Sequence, residues 1–313
     1  MIIDFCAHHI SVSVAKKVNF EHSFPPESET AEERLRIMEK FGIDVQVLSP
    51  TTPVLTELGP KEAAEICITS NDSAYELCEK YPEKFVGMGM VSLLDVQSAL
   101  DELDRTINDL GFKGVTIATN QNGTGLDSPE YIPFYDKVAK HDIPIFLQPI
   151  NWKSYPLIEG EKGYRLLGSI GWAFDTTQAV CRLIYGKILE RYPSLQIVTH
   201  HLGGYLPYSR VETTFLGLKE KLGLTKPISE YLKQVYGDTA ISGMGAIREA
   251  ILPCGYAFFG STRTIFGTDY PFGGEKGERY VRENLKSVKI LNVSEKDRSE
   301  ILEKNTKRLL KLT

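Results

Sequence analysis

Short runs of β-branched and apolar residues recur along the chain, each followed by a longer stretch whose apolar positions repeat every three to four residues. The runs at 2–6, 44–48, 85–90, 114–118, 144–148, 196–200, 237–241 and 264–267 read as strands. Helical spacing occupies 29–41, 61–81, 96–110, 131–141, 177–191 and 295–310. Eight successive βα units with right-handed crossovers predict an α/β fold, a (β/α)8 TIM-like barrel, which needs about 250 residues. The remaining length falls in candidate insertions at 11–28, 50–60 and 151–171. Each follows a strand, which places it at the C-terminal mouth, where such barrels build their active sites. No Ser/Gly linker or low-complexity block divides the units, so a single domain over residues 1–313 is expected. A doubly wound open sheet is the alternative, but no GxGxxG follows the first strand and no P-loop signature occurs.

Charge and cysteine usage narrow the function classes. With 36 basic against 41 acidic side chains the net charge is −5, which argues against a nucleic-acid or anionic-membrane binder. Cys6, Cys67, Cys78, Cys181 and Cys254 are odd in number, scattered and without a CxxC pair, so neither a disulfide framework nor a zinc knuckle fits and a reducing compartment is expected. No run approaches the roughly 18 apolar residues of a membrane span, and no basic region precedes an apolar stretch at the start, so the expected location is the cytoplasm.

Residues able to bind metal or move protons stand where the strands end. The first strand reads Ile3-Asp4-Phe5-Cys6-Ala7-His8-His9. Strict alternation puts Asp4, Cys6 and His8 on one side and His9 on the other, and a thiolate with an imidazole two residues on suits a borderline-soft ion such as Zn²⁺. The sixth strand runs into His200-His201-Leu202-Gly203-Gly204, where the Gly-Gly turn lets an imidazole approach a substrate closely. The eighth ends in Thr268-Asp269-Tyr270-Pro271, an acid ahead of a proline-fixed turn. Glu32, Glu33, Arg34 and Arg36 read as a solvated helix face.

Residues 3–8, His201 to Gly204 and Phe266 to Phe272, together with 110–114, 167–174, 196–208 and 305–310, resemble the amidohydrolase-related metal-dependent family that includes aminocarboxymuconate-semialdehyde and γ-resorcylate decarboxylases. The resemblance implies a divalent ion at the barrel mouth, usually zinc and sometimes manganese or magnesium. The ligand positions it carries over are Cys6, His8, Gln148 and Asp269. Two of them depart from the pattern: Cys6 replaces a His or Glu, and Gln148 replaces an imidazole with a poorer neutral donor. His201 matches the family's proton donor or water activator, with Asp269 placed to ligate and to influence its protonation. Trp172 and Phe174 are expected to cover a planar substrate, Arg210 to reach its carboxylate, and Asn151 with Trp152 to form a substrate-proximal loop.

The function so implied is nonoxidative decarboxylation of a small aromatic or dienoic carboxylic acid by a homodimer or higher homo-oligomer. Metal-dependent hydrolysis of a lactone or amide is the first alternative. A metal-poor relative that only binds a small ligand is the second, motivated by Cys6 and Gln148.

Overall fold

The computed structural model describes residues 1–19, 30–150, 166–209, 218–241 and 248–313. Among the described residues, apart from a short antiparallel hairpin (Asn120–Gln121 with Thr124–Gly125), eight strands follow one another in chain order: β1 (Ile3–His9), β2 (Val45–Pro50), β3 (Phe85–Gly87, resuming as Gly89–Met90), β4 (Val115–Ala118), β5 (Ile145–Gln148), β6 (Ile197–Thr199), β7 (Val235–Asp238) and β8 (Thr264–Ile265). Every ladder between neighbours is parallel. The break in β3 is bridged because Met88 N–H donates to Leu48 O (3.0 Å) and Gly89 N–H to Gly114 O (3.0 Å), which carries the bonding from β2 over to β4. At the other seam Phe5 N–H donates to Phe266 O (2.9 Å), Asp269 N–H to Cys6 O (2.9 Å), and Ala7 bridges Tyr270 in parallel. The eight strands thus form the predicted (β/α)8 ring.

Phe5, Cys6, Val47, Met88, Phe146, Val198 and Ile265 meet inside the ring, and Phe5 packs edge-on against Phe146 with centroids 5.3 Å apart. Ile117, Ile145, Leu147 and Ile197 belong instead to the layer beneath the helices. The crossover helices are α1 (Ala31–Phe41), α2 (Pro60–Lys80), α3 (Val96–Asn108), α4 (Ile132–His141), α5 (Trp172–Tyr185), α6 (Ile228–Leu232), α7 (Arg248–Phe259) and α8 (Glu278–Ile290). Their ends follow local chemistry. Thr30 and Asp95 accept from the backbone N–H groups of Glu33 and Ser98 as N-caps, and Gly42 takes φ 69° to close α1.

Four expectations change. β7 begins two residues before the predicted run, and α5 begins at Trp172 instead of 177. The pairing of β1 with β2 shifts register between Asp4 and Ala7, and this bulge breaks strict alternation, so Phe5 and Cys6 both reach the interior while Asp4 turns to the Thr268 segment. Arg34 is not on a solvated face: it is fully buried, donates to Gln46 Oε1 (3.2 Å) and to the His8 carbonyl, and lies 5.1 Å from the Tyr270 ring centroid. Its guanidinium fastens α1 beneath the chain that carries His8, and Glu33 and Arg36 pair with each other at the surface instead.

Candidate metal and active site

Cys6, His8, His200 and Asp269 come from three parts of the ring, β1 and the ends of β6 and β8. One donor atom from each lies within 4.8 Å of all the others. Cys6 Sγ is 3.5 Å from His8 Nε2 and 3.5 Å from His200 Nδ1, and Asp269 Oδ1 lies 3.0 Å from His8 Nε2 and 3.5 Å from His200 Nε2. A tetrahedral ion with bonds of roughly 2.0–2.3 Å holds its donors about 3.3–3.7 Å apart. The Cys6–His8 and His200 Nε2–Asp269 separations match this, the His8–Asp269 pair is somewhat tighter, and one sulfur, two nitrogens and one oxygen within 4.8 Å of one another suit a divalent cation.

The chain fixes these groups by dedicated contacts. Asp4, drawn aside by the bulge, accepts from Thr268 N–H (2.9 Å) and from the Thr268 hydroxyl (2.5 Å), tying β1 to the segment that bears Asp269. Burial raises the Asp4 carboxyl to about 7, although the Thr268 hydrogen bonds pull the other way. Gly267 makes the close approach possible, since a Cβ there would stand 2.8 Å from the Cβ of Cys6. Asp238, the last residue of β7, hydrogen-bonds His200 Nδ1 at 2.7 Å and also accepts from Ala240 N–H at 3.1 Å. A carboxylate on Nδ1 fixes the tautomer and leaves Nε2 to face Asp269, the arrangement expected of a ligating histidine.

Burial strongly raises the Cys6 thiol, the charges of Asp238 and Asp269 add to this, and His200 opposes it. A cation at the centre would displace the thiol proton outright. Burial also works against ionisation of Asp269, but hydrogen bonds from His200 and His8 outweigh it and hold the carboxyl well below its usual range.

His201 does not supply a donor to this cluster. Where alternation would carry the strand onward, His201 adopts φ 52° and Leu202 φ 54°, followed by Gly203 and Gly204 at 76° and 65°. Four consecutive positive φ angles, two on residues with side chains, are locally costly and must be held by the surrounding packing. The turn leaves His200 aimed inward and seats His201 beside it, ring centroids 3.6 Å apart, with Trp172 stacked on the other ring at 6.0 Å and 6°. Gly204 brings the turn against α5, where a Cβ would meet the Ala173 carbonyl oxygen at 2.2 Å. Burial, with the charge of His200 in addition, pulls the His201 imidazole down to about 3.

The remaining sequence candidates divide. Trp172 stands at the site beside His201, and Phe174 is exposed. Gln148 is buried at the end of β5, and its carboxamide oxygen accepts from Thr52 N–H at 3.1 Å. Asn151, Trp152 and Arg210 lie outside the described residues. Two participants were not read from the sequence. The sequence offered His200 only as one of the His200-His201 pair; Val198 lies inside the barrel, and alternation from it sends His200 inward. Asp238 was missed because the strand carrying it was placed two residues late.

A parallel α/β barrel with a mixed thiol, imidazole and carboxylate cluster at its C-terminal mouth is the scaffold of a metal-dependent enzyme. The chain belongs to the amidohydrolase family, whose profile matches residues 3–312. It is 31% identical over 297 residues to γ-resorcylate decarboxylase of Rhizobium sp. (strain MTP-10005), covering 89% of this chain and 86% of that one. It is 27% identical over 270 residues to 2-amino-3-carboxymuconate-6-semialdehyde decarboxylase of Dictyostelium discoideum, covering 84% of this chain and 72% of that one. Among solved structures, a dihydroxybenzoic acid decarboxylase from Polaromonas sp. JS666, with bound manganese and 2-nitroresorcinol, superposes with a TM-score of 0.85 at 25% identity. That match covers 99% of this chain and 97% of that one. Among the described residues no helix is long and apolar enough to cross a membrane.

Proposed function

We propose that this chain is a nonoxidative carboxy-lyase that removes CO₂ from a small hydroxylated aromatic acid. The observation that carries this reading is the convergence of Cys6, His8, His200 and Asp269 beside His201 in a family whose relatives above are decarboxylases of carboxylic acids. In the reaction the bond from ring to carboxylate breaks, its electron pair returns to the ring carbon, that carbon takes a proton, and CO₂ leaves.

Cys6, His8, His200 and Asp269 would hold a divalent ion, with zinc favoured by the mixed sulfur, nitrogen and oxygen set. When bound, the ion supplies positive charge that orients an anionic substrate. Asp238 keeps His200 in one tautomer. His201, its ring parallel to that of Trp172 at 6.0 Å, is the proton carrier. It takes up a proton as the anionic acid enters and offsets the positive charge beside it, then passes that proton to the ring carbon. Trp172 offers an aromatic wall for a planar acid. The enzyme works as a homodimer or larger homo-oligomer in the cytoplasm.

A hydrolase that uses the same histidine on water is less favoured, since neither relative named above is a hydrolase. The test is incubation of purified protein with 2,6-dihydroxybenzoate and a panel of hydroxybenzoates, following CO₂ and the decarboxylated phenol. Stoichiometric release of both supports the reading. Lactone opening without gas, or no turnover with divalent metals supplied, overturns it.

A further inference from the structure

Gln148 occupies a position the family resemblance assigns to a metal ligand, yet its geometry suits another task. A backbone N–H can only donate, so the bond from Thr52 N–H at 3.1 Å fixes the carboxamide with its oxygen toward Thr52 and its NH₂ pointing the other way. The single Thr52 hydroxyl proton is shared between the carbonyls of Gln148 (3.3 Å) and Pro149 (3.1 Å), so the loop after β2 holds the end of β5 through both backbone and side chain of Thr52.

That NH₂ is buried and has no hydrogen-bond partner among the described residues. Its surroundings follow from the ring. Phe146 and Val198 lie in the interior cluster, so alternation turns Gln148 and His200 inward one step higher on adjacent strands. The register pairs Leu147 with Thr199, which sets those two side chains at one level. Ser49, the register partner of His8, also has a buried hydroxyl without a hydrogen-bond partner among the described residues. Buried donors are left open in native folds chiefly where a ligand or water completes them.

We infer that Gln148 is a specificity-determining residue whose Nε2–H donates to a carboxylate oxygen of the substrate, and that it does not serve as a metal ligand. The inference rests on the decarboxylase reading above. Thr52, by holding the amide oxygen, is the positioning residue that aims the donor.

Calorimetric titration of the metal-loaded protein with 2,6-dihydroxybenzoate, alongside metal analysis, tests it. Gln148→Glu keeps the acceptor for Thr52 and removes the donor, and Gln148→Met keeps the volume without either. Both are expected to weaken the acid at least tenfold, in line with a hydrogen bond to a charged group, while metal per chain stays that of the wild type. Unchanged affinity in both variants overturns the inference. So does loss of metal from Gln148→Met in step with weaker binding, which would make Gln148 a ligand after all. If the wild-type protein itself fails to bind any hydroxybenzoate, the decarboxylase reading falls first and takes this inference with it.

Discussion

Replacing Asp238 with Asn tests whether the imidazole of His200 is held for ligation. Both oxygens of the carboxylate accept an N–H, one from His200 Nδ1 at 2.7 Å and one from Ala240 at 3.1 Å. Asparagine offers a single oxygen, so one of these donors must face an NH₂ group. If it is Ala240, a buried backbone donor is left open at a cost of about 1–3 kcal/mol. If it is His200, the ring takes the other tautomer and its proton moves to Nε2, the nitrogen that lies 3.5 Å from Asp269 Oδ1, which removes the lone pair a cation needs. Either route weakens the site, and loss of such a supporting carboxylate typically lowers metal affinity by about 10–100-fold, or about 1.4–2.7 kcal/mol. The assay is competition for Zn²⁺ against a chromophoric chelator, paired with thermal unfolding in the presence and absence of metal. Affinity within twofold of wild type, in a variant that still folds, would refute the role assigned to Asp238.

Three further outcomes are expected. Arg34→Ala removes a buried cation together with its bonds to Gln46 and the His8 carbonyl, and should cost about 3 kcal/mol or more in urea denaturation; a loss under 1 kcal/mol would mean the buried guanidinium is dispensable. His201→Ala should leave the unfolding midpoint nearly unchanged and cut turnover at least tenfold, since acid–base groups contribute about 10²–10⁴, and wild-type rates would remove His201 from the reaction. Hydrogen bonds from the Thr225 hydroxyl, the Thr225 backbone N–H and the Tyr231 hydroxyl lower Glu190 from 4.5 to about 2. A depressed carboxyl stabilises the fold above its unfolded value and loses that contribution as pH falls through the folded one. Wild type should therefore exceed Glu190→Gln in stability at pH 6, the gap closing between pH 4.5 and about 2; a constant gap would show that Glu190 acts through packing alone.

The barrel was legible because eight strand-like runs recur, most of them followed by a stretch of helical period, and the polar residues at the strand ends stood out against the apolar runs before them. What escaped had physical causes. Arg34 shares a helical stripe with Ala31, Ile37 and Met38, all buried, so its spacing carried the signal while its charge pointed the other way. The bulge that sends Asp4 to Thr268 depends on the fit of β1 between two neighbours, which no local pattern encodes. α7 was passed over because Pro253 lies inside it, and α6 has only five residues. Choosing between His200 and His201 required the backbone, because the left-handed turn at His201 ends the alternation that would have ranked them.

Elemental analysis of protein purified without chelator, on wild type and Cys6→Ala together, tests the central claim most directly. The account predicts close to one divalent transition metal per wild-type chain, with Cys6→Ala retaining much less and losing CO₂ release in proportion. Full decarboxylation by stringently metal-stripped protein, or equal metal content in the two, would contradict it.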